Sequence, residues 1–209
     1  MRTKSVEGPS SEAATFGGRA RRAQLVDCAV QALCEVGFAG ASIGEVARRA
    51  GVSKGVVTYH FRTREDLLRQ VVISLYERAG SRIAERVDAA DTALGALIGY
   101  IEANLAFVAE NAAHVRAVME VAANLRGPSG EPALGATDSD PVTAHVQALI
   151  ERGQAGGEFA EVDAGVLAMI IRAAIDTAAA RGATDSGFDH ELFTRQLVLV
   201  VRRALEARS

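Results

Sequence analysis

The chain has 209 residues, a formal net charge of −3 and 49% hydrophobic residues, enough apolar material for one large core or for a small domain joined to a medium one. Aromatic residues make up only 5%, Trp is absent and alanine is abundant, a composition suited to helices packed through aliphatic side chains rather than to sheets. No uncharged apolar run of about 18 residues and no secretion-signal block occurs, so no membrane partner is expected and the cytoplasm is the expected compartment.

Residues 1–18, MRTKSVEGPSSEAATFGG, are polar and Gly/Ser-rich and read as a disordered leader. The first periodic segment runs from Arg19 to Val36, with Leu25, Val26, Ala29, Val30 and Leu33 on one helical face. Gly37 stands where a helix needs a left-handed residue to stop, and Phe38 can fold back on the last turn. Cys28 and Cys34, six apart on this helix, point roughly 120° away from each other and read as small buried hydrophobes, not a disulfide or a redox pair.

A second helix opens at Ser42, where Ser42-Ile43-Gly44-Glu45 has capping-box spacing: the serine oxygen accepts from the third helical N–H and Glu45 reaches back. Its apolar stripe is Ile43, Val46, Ala47 and Ala50, and it halts at Gly51. Ser53 caps a short third helix from Lys54 to about His60, and Thr63, with Asp66 three residues on, caps a long fourth helix reaching about Val87. Further helices are predicted near 91–110, 112–125, 140–153, 163–181 and 189–208, with a Gly/Pro-rich mobile loop over 126–139. The fold class is therefore all-α, about nine helices: an N-terminal three-helix head over 19–64 and a helical domain over 65–209.

Charge is divided unevenly. Residues 1–70 hold eleven Lys/Arg against seven Asp/Glu, and the remainder twelve against nineteen, so one end of an acidic protein faces a polyanion. Function concentrates in Ser42 to Phe61, SIGEVARRAGVSKGVVTYHF, which has the physical logic of a helix-turn-helix. Ala47 is small where two helices cross, Gly51 takes the turn, and Val46, Val52 and Val57 fill the space beneath. The third helix offers Ser53, Lys54, Gly55, Thr58, Tyr59 and His60, short hydroxyls with a cation and a planar ring, to a major groove and its phosphates. Ser42, Ile43 and Gly44 at the start of the second helix, Val57, and Arg64 beyond the third complete the expected DNA-contact set. Arg48 and Arg49 read as a solvated face.

AGVSKGVVTYHFRTREDLL, with RAQLVDCAVQALCEVGFAGASIGEVA upstream, resembles the signature of the tetracycline-repressor (TetR) family over about Arg19 to Leu75, roughly a quarter of the chain. The resemblance implies an all-α homodimer whose two heads meet successive major grooves of a palindromic operator in double-stranded DNA, with the fourth helix as lever between ligand pocket and head. The family commonly places an aromatic residue where Thr58 stands; here Thr58 is followed by Tyr59, and both stand as candidates for the usual phosphate contact.

The last two helices are apolar on more than one face, so each needs a partner on its second side. Ile171, Ala174, Ile175, Ala178, Leu197, Val200 and Val201 are the expected dimer contacts. Tyr100, Asn104, Phe107, Met119, Asn124 and Met169 are the candidate lining of a site for a small, largely apolar effector. His114, His145 and His190 lack ligand spacing, and no cofactor, metal or catalytic residue is expected. The competing readings are a DNA-binding protein without an effector and an enzyme on a helical bundle. A closed, fully packed C-terminal domain would favour the first; the second would need a cluster of acid, base or metal-binding residues that the sequence lacks.

Overall fold

The structure, a computed structural model, describes residues 11–127, 129–131 and 141–206, with side chains from residue 17 onward. Its described residues form nine helices: α1 (Ser11–Gly40), α2 (Ile43–Ala50), α3 (Lys54–His60), α4 (Arg64–Asp88), α5 (Ala93–Glu110), α6 (Ala112–Asn124), α7 (Pro141–Ala155), α8 (Ala164–Thr184) and α9 (His190–Leu205). The all-α class read from the sequence is the class observed. Of the expected leader, residues 1–10 lie outside the described residues; α1 begins at Ser11, so residues 11–18 are helical rather than unstructured. Most of the expected loop over 126–139, and the ends Ala207 and Arg208 expected for the last helix, also lie outside.

Two compact units divide inside α4, between Val71 and Val72. In the first, Leu25, Ala29, Leu33, Val46, Val57, Phe61, Leu67 and Leu68 are all but removed from water. The first turns of α4 thus fold with the head, past the cut after residue 64 that the motif suggested. Gly37 (φ 68°) breaks α1 as the sequence predicts, and Gly51 (φ 65°) takes the left-handed place between α2 and α3. There the Gly51 N–H closes α2 onto the Ala47 and Arg48 carbonyls, a backbone shape that a Cβ would strain.

The two predicted capping boxes differ. At α4 both halves form: Asp66 N–H donates to Thr63 Oγ1 (3.0 Å) and Thr63 N–H donates to Asp66 Oδ2 (3.2 Å). At α2 only the serine half forms, Glu45 N–H to Ser42 Oγ at 3.2 Å. The Ser42 N–H turns instead to the Gly40 carbonyl (2.8 Å), which frees Glu45 for two arginines.

The second unit packs α5, α7, α8 and α9 around Leu97, Ile101, Leu105, Val146, Ile150, Ile171, Ile175, Ala178, Val201 and Leu205. Each fully buried Ile or Leu there contributes about 1.5–3 kcal/mol through area removed from water. At the start of α5, Thr92 Oγ1 accepts from Gly95 N–H (3.0 Å). Glu158, remote in sequence, accepts from Ala93 N–H (3.0 Å) and Leu94 N–H (3.3 Å), so three of the four free amides of that helix end are satisfied. Ala93–Glu110 is long and apolar enough by composition to cross a membrane, yet most of it is buried in this core, which accounts for its composition.

Candidate nucleic-acid interface and ligand cavity

The head positions its third helix through buried anchors. Val57 is fully buried and Phe61 nearly so, and α2 packs on α3. With that side inward, Lys54, Gly55, Thr58 and Tyr59 face water, Tyr59 at 85% exposure. An aromatic side chain left so open contributes nothing to the core and is available to a partner. Ser53 Oγ caps the helix by accepting from Val56 N–H (3.4 Å), and Thr58 Oγ1 donates to the Lys54 and Gly55 carbonyls, 3.2 Å each. The Lys54 stem lies over Gly44, where a Cβ would come within 2.9 Å of Cε, so Gly44 makes room for that side chain between α2 and α3. A Cβ on Gly55 would meet nothing nearer than Ser53 Oγ at 3.6 Å, so its smallness answers no need inside the chain. His60 is half-buried, its ring edge-on to Tyr59 at 5.2 Å, and its carbonyl accepts from Arg22 Nη1 (2.7 Å). Ser42 is exposed, and Ile43 and Gly44 are partly covered.

Two of the expected DNA contacts are corrected by this geometry. Val57 has no exposed surface to offer a groove: it is the peg that holds α3 down. Arg64 is spent within the head, donating to the Ala41 carbonyl (2.8 Å) and the Phe38 carbonyl and lying over the Phe38 ring. Arg48 and Arg49 also differ from a plain solvated face. Glu45 accepts from both, and Arg49, its side chain 11% exposed, also reaches Glu35 at 2.8 Å. The two guanidinium groups hold the Glu45 carboxyl down to about 2. The sequence reading missed Arg22, which ties α1 to the end of α3 and to Gln70 (2.7 Å) while stacking on Phe61 at 4.3 Å. Its place just before the first apolar stripe carries no local sign of that role.

The second unit contains a cavity of about 560 Å³ between α4, α5, α6, α7 and α8. Tyr100, Asn104, Phe107 and Met119 line it as expected from the sequence. Asn124 and Met169 do not: the Asn124 amide turns back to the Glu120 carbonyl (2.9 Å), and Met169 is 56% exposed on the outer side of α8. Arg172, Asp176, His145 and Tyr76 also line the cavity, outside the expected set; the charges of Arg172 and Asp176 on an otherwise apolar helix resemble a solvent edge. Burial pushes the Tyr100 phenol up, and the adjacent Arg172 only partly offsets this.

The expected dimer contacts divide in the same way. Ile171, Ile175, Ala178 and Val201 are buried in their own core and are corrected to core residues. Val200 is 60% exposed; Ala174 and Leu197 are half-buried. The apolar side chains that α8 and α9 turn outward are Val166, Met169, Ile170, Leu192, Leu199 and Val200. Of the histidines, His114 pairs with Ser74 (3.3 Å), His145 lies near the Tyr100 ring, and His190 packs edge-on to Phe188. Cys28 is buried, which raises its thiol, and Cys34 is half-buried.

Residues 25–71 match the family described as bacterial regulatory proteins, tetR family. An HTH-type transcriptional regulator, BetI of Escherichia coli, is 34% identical over 84 residues, 38% of this chain and 43% of its own length, so the match spans less than half of that relative. A bacterial regulatory protein of the tetR family from Rhodococcus RHA1 superposes with a TM-score of 0.71 at 19% identity, covering 90% of this chain and 98% of that one. The fatty acid degradation regulator FadR from Bacillus halodurans superposes with a TM-score of 0.68 at 18% identity, covering 88% and 99%. Residues 25–71 are thus similar to the N-terminal domain of the tetR family of bacterial regulatory proteins, and the described residues share the fold of solved regulators of that kind.

Proposed function

We propose that this protein is a ligand-responsive transcriptional repressor that binds a palindromic operator as a homodimer and is released by a small-molecule effector. The unit that ends at Val71 would read DNA; the unit that begins at Val72 would sense and dimerise, in the cytoplasm. The observation that carries the reading is the outward face of α3, where Lys54, Thr58 and Tyr59 stand clear of the core above the buried Val57. Inserted in a major groove, Lys54 reaches a guanine edge or a phosphate, and Thr58 and Tyr59 reach phosphates. Ser42, across the turn, meets the opposite strand.

Dimerisation is supported by the six outward apolar side chains of α8 and α9, which would close into a four-helix bundle with a second copy. The cavity supports an effector and disfavours a regulator that has none, since its volume lies in the range of small-molecule sites. Ligand binding would favour a conformer in which α4 moves and the heads no longer match grooves about 34–36 Å apart. Silencing requires the ligand to prefer that conformer by several kcal/mol. Fluorescence anisotropy with fragments of the protein's own promoter region, at low ionic strength, tests the reading. Binding that strengthens on a palindromic fragment is expected; indifference to all duplex DNA would overturn it.

A further inference from the structure

The cavity has a charge inside it. Arg172, on α8, has a side chain 13% exposed, whereas its partner Asp176 is 66% exposed. Arg172 Nη2 donates to Asp176 Oδ1 (2.6 Å) and Nη1 to the Tyr100 hydroxyl (3.3 Å). Its Nε is buried and has no hydrogen-bond partner. The phenol of Tyr100, pushed upward by burial, is neutral at physiological pH and supplies an acceptor but no charge. The carboxylate that balances the guanidinium is thus the one held largely in water. Desolvating a cation is costly, and an N–H left without a partner beside it adds to the cost.

Around that group the walls are apolar: Ile83, Phe107, Val115, Val118 and Met119 all line the same space. The guanidinium lines the cavity with a planar fork of donors, Nη1 and Nη2 turned to Tyr100 and Asp176 and Nε left unpaired, and such a fork is the geometry that takes an oxyanion through paired hydrogen bonds. A cationic ligand finds no equivalent. The two acids of the lining, Asp88 and Asp176, are both exposed residues, and Asp176 is already engaged by Arg172.

We infer that the occupant of this cavity is an apolar molecule bearing a carboxylate, seated with its acid group on Arg172 and its hydrocarbon against Phe107, Val115 and Met119. The inference rests on reading the cavity as the effector site. Asp176 then acts as a placeholder, the internal carboxylate that a ligand's acid displaces or shares.

Calorimetric titration of the full chain with decanoate, decan-1-ol and decyltrimethylammonium tests it, with operator release followed in parallel. Decanoate is expected to bind about tenfold or more tighter than decanol, the worth of a charge-assisted hydrogen bond, and the cation more weakly still. Arg172→Met should bring the acid-to-alcohol ratio to about one while keeping decanol affinity. Asp176→Asn, at an exposed side chain, should tighten decanoate binding by removing the competing carboxylate, and this arm decides the matter if Arg172→Met fails to fold. Alcohol or cation binding as tightly as the acid, an undiminished ratio in Arg172→Met, or weaker acid binding in Asp176→Asn would each overturn the proposal. If decanol or the cation binds and releases operator while decanoate does not, the carboxylate assignment falls and the effector reading stands. If none of the three binds, both fall.

Discussion

The guanidinium of Arg64 lies 4.3 Å from the centroid of the Phe38 ring and donates to the carbonyls on either side of the α1–α2 corner, those of Phe38 and Ala41. A residue that opens α4 therefore closes the break after Gly37. A helix end leaves its last C=O groups without partners inside the helix, and one planar guanidinium answers two carbonyls at once.

Arg64→Met should accordingly lower the stability of the protein by about 1–3 kcal/mol, because it removes two charge-assisted hydrogen bonds together with the cation–π stacking. Urea unfolding of the variant reads this directly. Full stability accompanied by weakened DNA binding would return Arg64 to the interface.

Lys54→Ala and Tyr59→Ala should behave in the opposite sense. Both side chains are exposed, so unfolding should move by no more than about 0.5 kcal/mol. Operator affinity should fall in both; Lys54→Ala, which deletes a cation, should also flatten the dependence of log affinity on log salt by about one, whereas Tyr59→Ala, which deletes an uncharged phenol, should leave that slope unchanged. Thr58→Ala, measured alongside, separates the two phosphate candidates: the one whose removal lowers affinity equally for operator and unrelated duplexes is the one that touches the phosphate.

Glu45 links acid sensitivity to the head. Its carboxyl is held at about 2 by hydrogen bonds from Arg48 and then Arg49, against an ordinary value of 4.5. Because the folded value lies below the unfolded one, the stabilisation is fully present above about pH 4.5 and drains away as pH falls toward 2. Unfolding measured across that window should show a shallower pH slope in Glu45→Gln than in the parent chain. Identical slopes would show that the pair of arginines does nothing for the fold.

On the outer side of α8 and α9, Val200→Asp and Ile170→Asp should convert a dimer to folded monomers, since both positions are more than half exposed in one chain. Ile171→Ala, one residue along α8, should instead cost about 2–5 kcal/mol of stability, because that side chain is fully buried. Sedimentation velocity distinguishes the two outcomes. A dimer that survives Val200→Asp and Ile170→Asp together would exclude this face as the interface.

The head was legible in the sequence because its constraints are local. Gly37 and Gly51 stand where a left-handed residue is required, Thr63 and Asp66 cap each other across one turn, and Gly55 and Tyr59 fall opposite Val57 on a helix only two turns long. Periodicity and capping act within a few residues, so the string of letters by itself determined the all-α class, the helix-turn-helix and its outward face.

What it left undecided was which of two apolar faces looks inward. In α8, Ala168, Ile171, Ile175 and Ala178 share one side at about 100° per residue, and Val166, Met169 and Ile170 lie roughly opposite. Both sides are aliphatic, and area removed from water has no direction, so only packing against α5, α6, α7 and α9 assigned the first set to the core and left the second facing outward. Arg172 and Asp176 sit on the flank between them. The burial of Arg172, and the use of Arg64 and Arg22 as clamps, depend on residues 72, 26 and 38 positions away, neighbours that meet only once the chain has closed on itself.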